Sequence, residues 1–92
     1  VLPDVAKMEL LVPWPNPAQG STFLQYGIFE EATISLALFD LQGRELKVID
    51  AGLRKVGSYS VRFDLQGYAS GHYLLSLSSN RAERITHQLV IE

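Results

Sequence analysis

The sequence predicts a single all-β domain, a sandwich of short strands, on three observations. Apolar and polar residues alternate along most of the chain, which is typical of strands that bury one face. The alternating stretches are short, rich in β-branched and aromatic residues, and separated by turn-forming residues. The chain has 92 residues, 47% of them hydrophobic, which is enough for one modest core and leaves no room for a second domain.

Seven segments have the strand pattern, and in chain order they are residues 8–12, 21–28, 33–39, 44–50, 58–64, 73–77 and 83–92. The clearest is 58–64, where Tyr59, Val61 and Phe63 alternate with polar neighbours. Seven strands in a chain of about 90 residues predict a seven-stranded immunoglobulin-like β-sandwich.

The fourth segment is ambiguous, because Leu46, Ile49, Leu53 and Val56 also have helical spacing. A helix there would contain Gly52, which costs about 1 kcal/mol relative to alanine. We therefore expect a strand over residues 44–50, followed by a loop.

Turn-forming residues separate these segments. Residues 13–17, Pro-Trp-Pro-Asn-Pro, contain three prolines, which fix φ and lack a backbone donor and so exclude a helix or a central strand. The pentapeptide Phe-Asp-Leu-Gln-Gly occurs at 39–43 and again at 63–67. In each copy we expect Asp to open a turn and Gly to close it in a left-handed conformation. Because nothing around the two copies matches, we interpret them as two hairpin turns rather than an internal repeat.

Composition and charge exclude several function classes. Eight basic and ten acidic residues give a net charge of −2, whereas nucleic-acid binding through phosphates normally needs a basic surplus. Cysteine is absent, which excludes disulfides, thiolate nucleophiles and cysteine-ligated metals. No apolar run approaches the roughly 20 residues of a transmembrane helix. We therefore expect no nucleic-acid partner and no transmembrane segment.

Residues that could perform catalysis are few and scattered. His72 and His87 have no third ligand at a metal-like spacing and no positioned acid–base partner. Glu30 and Glu31 fall between two strand segments, where we expect a solvated hairpin loop rather than the two carboxylates across a cleft that glycoside hydrolysis needs. No glycine-rich phosphate motif is present. The sequence predicts no catalytic residue, no cofactor and no metal, and hence no enzyme.

Trp14 lies between two prolines and has two interpretations. We favour a lid that packs over one end of the core, since large aromatic side chains dominate burial in small domains. The alternative is an exposed anchor for a protein partner or a sugar ring.

Short motifs occur in a fixed order along the chain. They are Pro15-Asn16-Pro17-Ala18, then Asp40-Leu41-Gln42-Gly43-Arg44, then Ser70-Gly71-His72-Tyr73, and finally Gln88-Leu89-Val90-Ile91. In this ordered set the chain resembles the C-terminal sorting domain of the type IX (Por) secretion system, over about residues 8–92.

The resemblance implies a seven-stranded immunoglobulin-like sandwich at the C-terminus of an exported cargo protein in Bacteroidetes-type bacteria. Residues 1–7 would then be a remnant of the linker to the cargo, and residues 8–92 the sorting domain. The cargo would pass through the periplasm and the outer membrane to the surface or the extracellular space. The implied partners are the secretion machinery, including an outer-membrane shuttle protein, and a sortase that removes the domain during surface attachment.

The resemblance also points to candidate recognition residues, which are Pro15, Asn16, Pro17, Asp40, Gly43, Arg44, Gly71, Tyr73, Gln88, Leu89, Val90 and Ile91. Several of these residues also have a structural role that would account for their presence without any recognition. Gly43 permits a turn, and Arg44 can donate to Asp40 or to nearby carbonyls. Gly71 allows the chain to enter the strand that contains Tyr73.

The last strand is the predicted recognition surface. Its apolar phase, Ile85, Leu89 and Ile91, is expected to face the core. The alternate residues are expected to face outward, and they are Thr86, Gln88 and Val90. A C-terminal strand is expected at a sheet edge, where unpaired backbone groups can accept a strand from a receptor. The alternative is that this strand only completes the core.

Two further function classes stay open. One is an immunoglobulin-like structural or adhesion module of a surface protein. The other is a carbohydrate-binding accessory module, which needs an exposed aromatic platform. Trp14, Phe23 and Phe29 are the candidates for such a platform.

Overall fold

A computed structural model of the chain describes residues 6–92, and these residues form seven strands without any helix. The strands are β1 (Met8–Leu10), β2 (Ser21–Ile28), β3 (Ala32–Phe39), β4 (Glu45–Arg54), β5 (Gly57–Asp64), β6 (Gly71–Ser79) and β7 (Arg84–Ile91). The all-β prediction with seven strands is confirmed. Most of the predicted linker, residues 1–5, lies outside the described residues. No helix in the described part of the chain could span a membrane.

The strands form two antiparallel sheets that enclose one core. The three-stranded sheet has the order β1-β2-β5, and the four-stranded sheet has the order β4-β3-β6-β7. Residues that alternate along the strands meet between the sheets and are fully buried there; they include Leu24, Leu36, Leu38, Leu75, Leu77 and Leu89. The period of two in the sequence therefore corresponds to one buried face on each sheet, as in an immunoglobulin-like sandwich.

The two Phe-Asp-Leu-Gln-Gly copies share their turn chemistry but differ in topology. In each copy the Asp carboxylate accepts the N–H two residues later at 2.9 Å, Gln42 in the first and Gln66 in the second. Gly43 and Gly67 have φ of 89° and 92°. The first copy is a hairpin turn between β3 and β4, whereas the second joins β5 to β6 in the other sheet. The hairpin prediction is therefore wrong for the second copy.

The acidic pair is also placed differently from the prediction. Glu30 and Glu31 join β2 to β3, which lie in different sheets, so they form a crossover and not a hairpin loop. Glu30 forms ion pairs with Lys7 Nζ at 3.1 Å and with Arg81 Nη1 at 2.8 Å. These cations hold the pKa of Glu30 below its usual value, the hydrogen bond from Lys7 contributing most.

Strand β4 is longer than predicted, and β1 is shorter. β4 continues through Asp50 to Arg54, where a loop was expected. Ile49 has no partner on β3, because Leu36 pairs with Asp50 and Ala37 with Val48. This extra residue interrupts the alternation of apolar residues. The helical spacing is coincidental, since Ile49 packs against the core whereas Leu46 and Leu53 are exposed. Beyond Ile49, Gly52 at φ 133° keeps the strand paired with β3.

A polar network joins the two sheets along the second half of β4. The buried Tyr26 hydroxyl donates to Asp50 Oδ2 at 2.7 Å and accepts from Arg54 Nε at 3.2 Å. Arg54 Nη2 also donates to Asp50 Oδ1 at 2.6 Å. The Tyr59 ring stacks on Tyr26 with a centroid distance of 5.2 Å. Burial above all, and then the hydrogen bond to Asp50, raise the pKa of Tyr26 to about 12.

This raised pKa predicts a loss of stability in alkali. The fold favours the neutral phenol, so its contribution is fully present below the ordinary pKa of 10.0 and is lost as the pH rises through about 12. We expect Tyr26→Phe to remove this part of the pH dependence, as measured by urea unfolding at several pH values. Tyr68→Phe is the control, since the Tyr68 hydroxyl makes no hydrogen bond within residues 6–92. Equal pH slopes for the wild type and Tyr26→Phe would contradict the assignment.

A second prediction concerns the turn at Gly43. A Cβ there would meet nothing within 4 Å, so Gly43→Ala tests the backbone conformation alone. We expect a loss of about 1 kcal/mol in the free energy of unfolding, because φ of 89° is disfavoured for a residue with a Cβ. Gly57→Ala is the matched control, since Gly57 lies in a strand and its Cβ would make only an ordinary contact with Tyr59 at 3.8 Å. Equal effects of the two substitutions would contradict this account of the turn.

Candidate recognition site at the C-terminal strand

The predicted alternation of β7 is confirmed. β7 forms one edge of the four-stranded sheet. Leu89 and Ile91 are buried, and Ile85 is partly buried against the core. Thr86 and Gln88 are exposed on the opposite face, and Val90 is half-buried there.

The edge of β7 is closed over its last residues by the side chain of Asn16. Asn16 Nδ2 donates to the carbonyl of Gln88 at 3.0 Å, and its Oδ1 accepts the N–H of Val90 at 2.9 Å. A side-chain amide offers one donor and one acceptor, like a peptide group. Asn16 therefore binds β7 in the manner of one residue of a neighbouring strand.

Ala18 continues this pairing with its own backbone. Its N–H donates to the carbonyl of Val90 at 2.8 Å, and its carbonyl accepts the N–H of Glu92 at 2.9 Å. The two neighbouring prolines have no N–H to satisfy, so this segment can lie extended along β7 without a sheet of its own. The prediction of an unpaired edge is wrong from the carbonyl of Gln88 to the N–H of Glu92. The outward backbone groups of Thr86 make no hydrogen bond within residues 6–92.

The motif residues meet at one end of the four-stranded sheet. Strand register places Phe39, at the end of β3, beside Leu74 of β6, which in turn pairs with Gln88 of β7. Gly71 pairs with Ile91, and Tyr73 pairs with Leu89. The Asp40 turn and the proline-rich segment flank this end on either side, so residues far apart in sequence form one region.

Within this region the predicted contact between Arg44 and Asp40 is present. Asp40 Oδ1 accepts the N–H groups of Gln42 and Arg44, each at 2.9 Å, and Arg44 Nε donates to Asp40 Oδ2 at 2.8 Å. The Arg44 backbone N–H, followed by its side chain, lowers the pKa of Asp40. Tyr73 donates its hydroxyl to the carbonyl of Ala69 at 2.6 Å.

Both histidines make single structural contacts. His87 Nε2 lies 2.6 Å from the carbonyl of Leu10, so it donates there and links β7 to β1 across the sandwich. His72 Nδ1 lies 2.6 Å from Gln88 Nε2 and accepts from it on the outer face of the sheet. Residues 6–92 contain no group of three or more acidic, histidine or cysteine side chains placed to hold a metal.

Trp14 is exposed, and the favoured interpretation as a lid is wrong. Its side chain is 72% exposed. Its N–H donates to the carbonyl of Phe23 at 3.2 Å and its carbonyl accepts the N–H of Phe23 at 2.8 Å. This pairing continues the three-stranded sheet and places Trp14 beside Phe23 on the outer face, away from the core.

A comparison with protein families matches residues 13–92 to the family described as secretion system C-terminal sorting domain. The chain belongs to this family. The match begins after β1 and includes β2 to β7. No curated protein matches the sorting domain.

Among solved structures, the sorting domain is similar to part of dimeric latent PorU from Porphyromonas gingivalis. The TM-score is 0.71 at 14% sequence identity, and the similarity covers 99% of this chain and 10% of that chain. At this identity the likeness is one of fold. The sorting domain therefore spans about a tenth of the protein it matches in structure.

The Asn16 contact predicts a sharp difference between two near-isosteric side chains. Asn16→Asp removes the donor to the Gln88 carbonyl and places a carboxylate oxygen beside that acceptor. We expect a loss of about 1–3 kcal/mol in the free energy of unfolding at neutral pH. The loss should shrink at pH values below the aspartate pKa, where the protonated acid can donate again.

Gln19→Ala is the control for Asn16→Asp, since Gln19 is exposed in the same segment and surface changes of this kind usually stay within about 0.5 kcal/mol. Urea unfolding at two pH values measures both variants. A neutral effect of Asn16→Asp would show that the closed edge contributes nothing to stability.

Proposed function

We propose that this domain is the secretion signal of a cargo protein joined to its N-terminus, and that it acts by being recognised rather than by catalysis. Membership of the sorting-domain family over residues 13–92 is the observation that carries the proposal. In this proposal the type IX machinery, including an outer-membrane shuttle protein, receives the domain in the periplasm. It then transfers the cargo to the surface or the extracellular space.

We propose that the secretion machinery recognises one surface, which consists of the outer face of β7 and the start of β6. Asn16 and Ala18 already occupy the backbone edge from Gln88 to Glu92, so a receptor strand could bind there only by displacing them. The side chains of Thr86 and Gln88 are exposed beside that edge, and Gln88 is held by its contact with His72. A receptor can therefore contact this face without opening the fold.

A sortase, in this proposal, removes the domain by cutting N-terminal to Lys7. The Lys7 N–H donates to Glu83 Oε2 at 3.3 Å, and its carbonyl accepts the N–H of Phe29 at 2.8 Å. With the ion pair between Lys7 Nζ and Glu30, these contacts fix Lys7 to the sandwich. A peptidase needs accessible backbone, so the linker before Lys7 is the favoured place for the cut. Residues 1–7 correspond to the linker and 8–92 to the sorting domain, with Lys7 anchored to the latter.

Export of a fused passenger tests the proposed surface. Thr86→Lys with Gln88→Lys adds two charges to the outer face of β7. We expect export to fall by about tenfold, since an unfavourable contact of about 1.4 kcal/mol is sufficient for that change. A passenger protein joined to residues 1–92 is expressed in a bacterium with an intact type IX system. Exported and periplasmic passenger are measured together with the melting temperature of each purified variant.

The matched control is Ser58→Lys with Ser60→Lys, which places the same charges at the same spacing on exposed positions of another edge strand, β5. This control is expected to export normally. Deletion of residues 90–92 is a poor substitute, because Ile91 is 4% exposed in the core and its loss would unfold the domain. If export falls only in variants that also melt early, β7 is scaffold and the machinery reads another surface.

The same export experiment tests the proposed position of sortase cleavage. Mass spectrometry of the released domain should show an N-terminus at or before Lys7. A released fragment that begins within β1 would contradict the proposed position.

A further inference from the structure

Two aromatic side chains lie side by side on the outer face of the three-stranded sheet. Trp14 is 72% exposed and Phe23 is 44% exposed. Two backbone hydrogen bonds between them fix their relative position. Large exposed aromatic side chains are costly to leave in water, and in proteins they mark binding surfaces when they cluster.

Polar side chains extend this pair across the sheet. Arg62 of β5 pairs with Phe23, so Trp14, Phe23 and Arg62 form one row across three strands. The next row, about 7 Å along the strands, contains Gln25 and its partner Ser60. We call these five residues the platform.

An open pocket of about 220 Å³ adjoins the platform, and its lining includes Glu9, Gln25, Ser58 and Ser60. The side chains of Gln25, Ser58 and Ser60 make no hydrogen bond to any part of residues 6–92. Arg62 donates only its Nε, to Ser21 Oγ at 3.3 Å, among the described residues. The donors and acceptors of this face are therefore free to bind a ligand.

The combination of ring faces and free polar groups identifies the chemistry of the ligand. An apolar protein surface that covered this face would bury the amide of Gln25 and the hydroxyl of Ser60 without partners, at a cost of about 1–3 kcal/mol for each. A nucleic acid can stack on aromatic rings, but the net charge of −2 disfavours its phosphates. A pyranose ring offers C–H groups to the aromatic faces and hydroxyls to the polar groups at its rim.

We propose that the platform binds a neutral oligosaccharide, with one pyranose ring over Trp14 and Phe23 and the next beside Gln25 and Ser60. Arg62 and Glu9 flank the site with opposite charges, which favours a neutral sugar over an acidic one. This function is separate from sorting, because the platform lies on the three-stranded sheet and the proposed sorting surface lies on the four-stranded sheet.

Trp14 is the single tryptophan of the chain, so its fluorescence reports directly on the site. The probes are cellohexaose, mannohexaose and maltohexaose, added to the intact domain. We expect at least one of them to shift the emission to shorter wavelength and to protect Trp14 from acrylamide quenching. A shallow, open site of this size should give a dissociation constant of about 0.1–1 mM.

Phe23→Ala is expected to weaken binding by about tenfold, because it removes one aromatic contact with the sugar, which contributes up to about 1.5 kcal/mol. Phe29→Ala is the matched control, since Phe29 is 52% exposed but lies at the opposite end of β2 from Trp14. Because Trp14→Ala removes the fluorophore, the affinity of this variant for the saccharides is measured by calorimetry. Circular dichroism checks that each variant is folded.

Three results would overturn the proposal. One is the absence of protection by all three saccharides at about 10 mM, a concentration well above the expected dissociation constant. The second is an equal loss of affinity in Phe23→Ala and Phe29→Ala. The third is stronger protection of Trp14 by oligothymidylate than by any of the saccharides. Export of a passenger fused to the Phe23→Ala domain should stay normal, so failure of saccharide binding is distinguishable from failure of the sorting proposal.

Discussion

The need to satisfy the backbone of an edge strand determines how this domain is built. A sandwich of two open sheets has four edge strands, here β1, β5, β4 and β7, and each edge presents unpaired N–H and C=O groups. On β7 the chain meets this need with the amide of Asn16 and the backbone of Ala18. The segment between β1 and β2 thereby becomes part of the four-stranded sheet. It also binds the last strand of the domain to the first third of the chain.

This closure joins residues that are 72 and 74 positions apart. Contacts of such long range form late, since the entropy of a long loop must be lost before they contribute. The other side of the sandwich is joined differently, by the buried Tyr26 of β2 and the half-buried Asp50 and Arg54 of β4. Polar side chains thus link the central strand of the three-stranded sheet to an edge strand of the other sheet.

The sequence predicts most of the fold and part of the site, and the misses have physical causes. Alternation reports which face of a strand is buried, so seven strands and the phase of β7 follow from it. Alternation fails in β4, because the register with β3 shifts at two points and interrupts the apolar phase there. Turn residues report local geometry only, and the Asp–Gly turn at residues 64–67 is chemically the same whether the chain returns to its own sheet or crosses to the other. The exposure of Trp14 and the pairing of Asn16 with β7 depend on contacts across the fold, for which no local pattern exists.

The position of Asn16 before a proline has a consequence for the chemical durability of the domain. Asparagine residues deamidate when the backbone nitrogen of the next residue attacks the side-chain amide and forms a cyclic imide. Pro17 supplies a nitrogen without a hydrogen, so this route is closed at the amide that holds β7. A change to aspartate would remove the donor to Gln88, and the proline closes the fastest route to that change. The tripeptide Pro-Asn-Pro thus protects the side chain that pairs with β7 from deamidation through the cyclic imide.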